Sequence, residues 1–89
     1  MRSESVSIVN KLGLHARAAA VLVKTASRFS SEVRLARDDK TVNAKSIMSV
    51  MMLAAAQGTT LTLETEGPDE DEAFSAVSDL IADRFGEPE

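Results

Sequence analysis

The chain has 89 residues, 44% of them apolar and 27% charged, with a net charge of −4. That length and balance suit one globular domain spanning 1–89 with one modest core. There is no cysteine and a single histidine, which excludes disulfides, thiolate metal sites and clusters of imidazole ligands within one chain.

The first element expected is a half-buried strand over 4–9, in which Val6 and Ile8 share a face. Asn10-Lys11-Leu12-Gly13-Leu14 breaks that pattern and leads to His15. From Ala16 the period changes. Ala19, Leu22, Val23, Ala26 and Phe29 describe one face of a helix ending near Arg28, with a first turn rich in alanine. Glu32–Arg37 alternates again with Val33 and Leu35 inward, and Asp38-Asp39 turns it into a return strand over Lys40–Ala44.

Ser46 is placed as the N-cap of a second helix over 47–54, in which Ile47, Val50, Met51 and Ala54 lie at helical spacing. Gly58 stops it. A strand over 59–66 follows, marked by β-branched residues and by Leu61 and Leu63 in alternation. After the Gly67-Pro68 turn, Asp69 with Glu72 resembles a capping box opening a third helix. Its apolar stripe runs through Ala73, Phe74, Val77, Leu80, Ile81 and Phe85, and Gly86 and Pro88 end it. The order is β-α-β-β-α-β-α. It predicts a two-layer α+β domain, a mostly antiparallel four-stranded sheet covered on one face by three helices.

Charge is divided unevenly along this chain. Residues 1–63 carry nine Lys/Arg and four Asp/Glu, a net of +5, whereas residues 64–89 carry one Arg and ten Asp/Glu, a net of −9. The early excess suggests a basic face formed by Lys11, Arg17, Lys24, Arg28 and Lys45, suited to an acidic partner surface. Nucleic acid is a poor fit, because the chain is acidic overall and has only three Phe for stacking on bases. No apolar run approaches the roughly 18 residues of a membrane span. The opening residues Met1-Arg2-Ser3-Glu4-Ser5 lack the apolar centre of a signal peptide, so a cytoplasmic protein without membrane insertion is expected.

The chemistry concentrates on Gly13-Leu14-His15-Ala16-Arg17. A helix N-terminus offers free N–H groups and a partial positive charge, so it attracts anions. That field and Arg17 both disfavour imidazolium, which makes a neutral, nucleophilic His15 the expectation. A histidine merely packed at a helix start is the plain alternative, as is simple capping for Ser46.

Residues 10–20, NKLGLHARAAA, and 40–53, KTVNAKSIMSVMML, resemble the HPr family of phosphocarrier proteins of the bacterial phosphoenolpyruvate-dependent phosphotransferase system. The similarity spans the whole chain. It implies that His15 accepts a phosphoryl group on Nδ1 from phospho-enzyme I and passes it to a histidine of an enzyme IIA-type acceptor, with Arg17 stabilising the phosphate. The protein would then be a stoichiometric carrier rather than an enzyme, a monomer needing no cofactor and no metal.

The resemblance further implies that Ser46 is a regulatory phosphorylation site for an HPr kinase/phosphorylase. It also implies that Ala16, Arg17, Ala20, Lys24, Ile47, Met48 and Met51 form the partner-binding surface. Met48, Met51 and Met52 would give that surface an adaptable apolar patch. Two positions depart from the familiar motif. Ala18 stands where proline is usual, as in the nitrogen-related branch of the family, so sugar uptake and nitrogen-type regulation both stay open. Ser49 replaces a glycine often found in kinase-regulated members. Two other readings remain: a non-carrier interaction module switched at Ser46, and a generic small α+β ligand-binding domain.

Overall fold

The computed structural model describes residues 1–89. Four strands, β1 (Arg2–Ser7), β2 (Glu32–Arg37), β3 (Lys40–Asn43) and β4 (Thr60–Glu66), form one sheet in the order β1-β4-β2-β3, antiparallel throughout. Helices α1 (Ala16–Ala26), α2 (Ile47–Met51) and α3 (Glu70–Ala82) lie between them in the expected order, and a short 3₁₀ turn, Arg84–Gly86, follows α3.

Alternation sets the faces of the sheet. Val33 and Leu35 of β2 and Leu61, Leu63 and Thr65 of β4 point inward and are fully or almost fully buried. The four apolar ones meet Leu22 and Ala26 of α1 and Phe74, Val77 and Ile81 of α3 in one core. On the outer face Arg34 binds Glu32, Glu64 and Glu66, which together raise its pKa further. Exposed ion pairs of this kind contribute about 0–1 kcal/mol each, while burying a single Leu or Phe contributes about 1.5–3 kcal/mol. The inner face holds the sheet to the helices.

Several element ends differ from the sequence expectation. The first strand covers Arg2–Ser7 rather than 4–9, although Ile8 still donates to the carbonyl of Thr59 and accepts from Gly58. The first helix stops at Ala26, and Phe29 reaches the core from the following turn. The return strand ends at Asn43.

The second helix is only Ile47–Met51. Past it the bonds tighten to Leu53 N–H with Val50 and Ala54 N–H with Met51, and Ala54 turns left-handed at φ 51°. Arg37 stabilises that turn by donating to the carbonyls of Leu53 (2.7 Å) and Ala54 (3.1 Å). The buried positions here are Val50 and Leu53; Ile47, Met51 and Ala54 are exposed. The expected apolar face was therefore rotated.

The expected capping box does not form. Asp69 occupies the N-cap position of α3 but gives its carboxylate to Ser30 N–H, Ser31 N–H and the Ser31 hydroxyl, and Glu72 stays exposed. Glu70 instead accepts from Gly67 N–H. Phe85 is not helical either. Arg84 and Phe85 are both left-handed, which swings the Phe85 ring into the core and sends Glu87-Pro88-Glu89 back towards α1. No helix is long and apolar enough to cross a membrane.

Candidate functional site

The site is built on the loop that opens α1. Asn10 accepts from Gly13 N–H through its carbonyl and donates its side-chain amide to the Gly13 carbonyl at 2.9 Å, closing a tight turn. Gly13 is left-handed, φ +68°, and passes so near the next loop that an added Cβ would lie 2.5 Å from the Ala55 carbonyl oxygen. Leu14 then donates to that same oxygen at 2.8 Å and buries its side chain. These contacts deliver His15 in extended conformation to the N-cap position of α1.

His15 makes no capping bond with its side chain. Its carbonyl accepts from Ala19, while the N–H groups of Ala16, Arg17 and Ala18 have no partner within the chain. They form the electropositive helix mouth that the sequence implies. Arg17 is exposed and makes no hydrogen bond or ion pair, so its guanidinium is free to turn towards an anion. Ala18, the departure from the proline motif, is fully buried. Lys11, Leu12, His15, Arg17, Glu87, Pro88 and Glu89 line an open cleft of about 270 Å³, which no sequence pattern foreshadows.

Sequence reasoning missed Glu87. Its carboxylate receives Asn10 Nδ2 at 2.9 Å through one oxygen and contacts His15 Nε2 with the other. The His15 side chain is 28% exposed and that of Glu87 13%. The Asn10 amide chiefly holds the Glu87 carboxyl below the usual carboxylate range, and His15 and Arg17 act in the same direction against desolvation. The electrostatic partner of the imidazole is thus an anion as well as the cations foreseen. The only sign of it in the sequence is the acidic excess of residues 64–89.

The basic face is smaller than expected. Lys24 is exposed and unpaired, and Arg28 stands 5.9 Å from the Phe29 ring centroid. Lys45 is committed to the Phe29 carbonyl at 2.8 Å, and Lys11 faces Glu89 at 3.5 Å. The apolar part is larger. Ala16 and Ala20 are exposed on α1, which packs against α2, where Ile47, Met48 and Met51 are exposed. Leu12 and Met52 are exposed as well, and Leu12 lies in the cleft with His15. Ser46 is the N-cap of α2, its hydroxyl accepting from Ser49 N–H at 3.4 Å. No group of His, Asp or Glu side chains could hold a metal ion.

Comparison with known proteins agrees with this arrangement. The family model described as "PTS HPr component phosphorylation site" matches residues 2–83. The phosphocarrier protein HPr of Cupriavidus necator is 57% identical over 89 residues, and that of Pseudomonas aeruginosa 53% identical over 90, each alignment covering all of both chains. The crystal structure of HPr-C-His from Thermoanaerobacter tengcongensis superposes with a TM-score of 0.95 at 50% identity, covering both chains completely. A half-buried histidine at the N-cap position of a helix beside a free arginine, on this fold and with these relatives, places the chain in the HPr family, the phosphocarrier proteins of the phosphotransferase system.

Proposed function

We propose that His15 takes a phosphoryl group from phospho-enzyme I and gives it to a histidine of an enzyme IIA-type acceptor. The observation that carries this reading is the position of His15: half-buried, at a helix mouth with three unbonded N–H groups, beside the unpaired Arg17. Phosphoryl transfer passes through a loose transition state with charge on the equatorial oxygens, so positioned donors do most of the work. Arg17 and the Ala16–Ala18 N–H groups supply such donors. Because Arg17 has no internal partner, it can engage the phosphate and release it as the next acceptor docks.

The exposed apolar surface of Ala16, Ala20, Ile47, Met48 and Met51, flanked by Lys24, receives both partners in turn. A compact patch of flexible side chains suits brief, small interfaces. In this reading the protein is used stoichiometrically and works as a monomer in the cytoplasm. The test is a chase. The protein labelled from phosphoenolpyruvate and enzyme I is mixed with an enzyme IIA-type acceptor; the label should leave His15 and appear on the acceptor. A label that stays on the carrier would refute onward transfer.

Ser46 is proposed as a regulatory site for an HPr kinase/phosphorylase. Its support is its place beside Ile47 and Met48, where a phosphate would put a dianion into the docking patch. Incubation with such a kinase and ATP should give an acid-stable label on the wild type and none on Ser46→Ala. Equal labelling of both would remove Ser46 from the account.

A further inference from the structure

A carboxylate has only lone pairs to offer, so the contact between Glu87 and His15 Nε2 is a hydrogen bond in which Nε2 donates. The neutral ring then has its proton on Nε2 and its free lone pair on Nδ1, which has no partner in the chain. Glu87 is not a loose side chain that happens to lie nearby. Its other oxygen is held by Asn10, a fully buried residue that also ties the turn before His15. The segment carrying it is fixed on one side by the buried Phe85 ring and on the other by Lys11 N–H donating to the Glu89 main-chain oxygen at 3.1 Å.

We propose that Glu87, held by Asn10, is the positioning residue that occupies Nε2 of His15 and so makes Nδ1 the atom that receives the phosphoryl group. The proposal rests on the reading of His15 as the phosphoryl acceptor. Two effects act together. Nε2 has no lone pair to attack with, and an incoming phosphoryl anion on that side meets the Glu87 carboxylate. On Nδ1 the path is open. The Nδ1 lone pair attacks phosphorus, the Nδ1–P bond forms as the donor's bond to phosphorus breaks, and the electron pair leaves with the donor. The proton stays on Nε2 against Glu87. In onward transfer the Nδ1–P electrons return to Nδ1, and the ring leaves as neutral imidazole rather than as an imidazolate.

Phosphoramidate tests this on the isolated protein, since it phosphorylates imidazole without a partner protein and releases ammonia. The two phosphohistidine isomers are then counted by ³¹P NMR. The wild type should carry the Nδ1 adduct. In Glu87→Ala, the ratio of Nε2 to Nδ1 adduct should rise about tenfold, as expected when one hydrogen bond to a charged group is lost. Glu87→Gln should raise it too, because an amide can leave a donor facing the ring. Glu72→Ala, an exposed carboxylate on α3 away from the cleft, should load as the wild type does. Independently of any variant, ¹⁵N shifts of His15 in the wild type above neutral pH should show the proton on Nε2. A proton on Nδ1, or Glu87→Ala and Glu87→Gln loading like the wild type, would overturn the role of Glu87. Failure of phospho-enzyme I and phosphoramidate alike to load the wild-type histidine would instead overturn His15 as acceptor.

Discussion

Asp69 and Ser31 are joined through both main chain and side chain: the Asp69 carboxylate accepts from the Ser31 N–H at 2.8 Å and from the Ser31 hydroxyl, and the hydroxyl accepts in return from the Asp69 N–H at 3.1 Å. The start of α3 is thereby tied to the start of β2. Asp69→Ala should lower the melting temperature by on the order of 5 °C. Glu72→Ala, whose side chain lies in solvent, should change it by less than the error of the melt. Equal effects would restore the capping box that the sequence suggests.

Acid should weaken the fold through three carboxylates. Hydrogen bonds from Ser31 lower the pKa of Asp69, the Gly67 N–H that of Glu70, and the Asn10 amide that of Glu87. Each group binds its proton less readily folded than unfolded. Their contribution to stability is therefore present in full above the ordinary carboxylate range, about pH 4–5, and is lost as pH falls through the lower folded values. Urea unfolding followed from pH 7 to pH 2.5 should show stability falling mainly below pH 4.5, with a shallower fall in Asp69→Asn. A pH-independent midpoint would contradict this.

Gly13→Ala combines strain with collision. The residue is left-handed, and the new methyl would press on the Ala55 carbonyl and on Ala56 Cα. The expected cost is about 2–4 kcal/mol, together with slower phosphoryl loading of His15. Gly58→Ala, at φ +89° with open space around the added methyl, should cost about 1–2 kcal/mol and leave loading unchanged. Urea unfolding and an enzyme I assay measure both.

Met48 is 78% exposed and Ile47 42% exposed, so neither contributes much to the core. Met48→Asp should leave the melting temperature within about 2 °C and raise KM for enzyme I roughly tenfold, the loss typical of an apolar anchor at an interface. A folded variant with unchanged KM would remove Met48 from the docking patch.

Much of this fold can be read in the sequence because period-2 and period-3.6 patterns report which face is buried. Val33, Leu35, Leu61, Leu63, Leu22 and Val77 all lie where those patterns put them. The reading failed where a side chain bonds across the chain. Ala54 lies exposed because Arg37 captures the end of α2, and Phe85 reaches the core through a left-handed turn rather than another helical turn. Neither contact leaves a periodic trace. The candidate site divides in the same way. His15, Arg17 and Ser46 stand in local motifs, but Glu87 meets Asn10 across 77 residues of sequence. Only the fold brings them together.

The most direct test of the account is phosphoryl uptake at His15. Wild type, His15→Ala and Ser46→Ala are each incubated with phosphoenolpyruvate and enzyme I, and the phosphorylated residue is identified by mass spectrometry at neutral pH. The expected result is one acid-labile phosphoryl group on His15 in the wild type and in Ser46→Ala, and none in His15→Ala. Equal labelling of His15→Ala, or no labelling of the wild type, would contradict it.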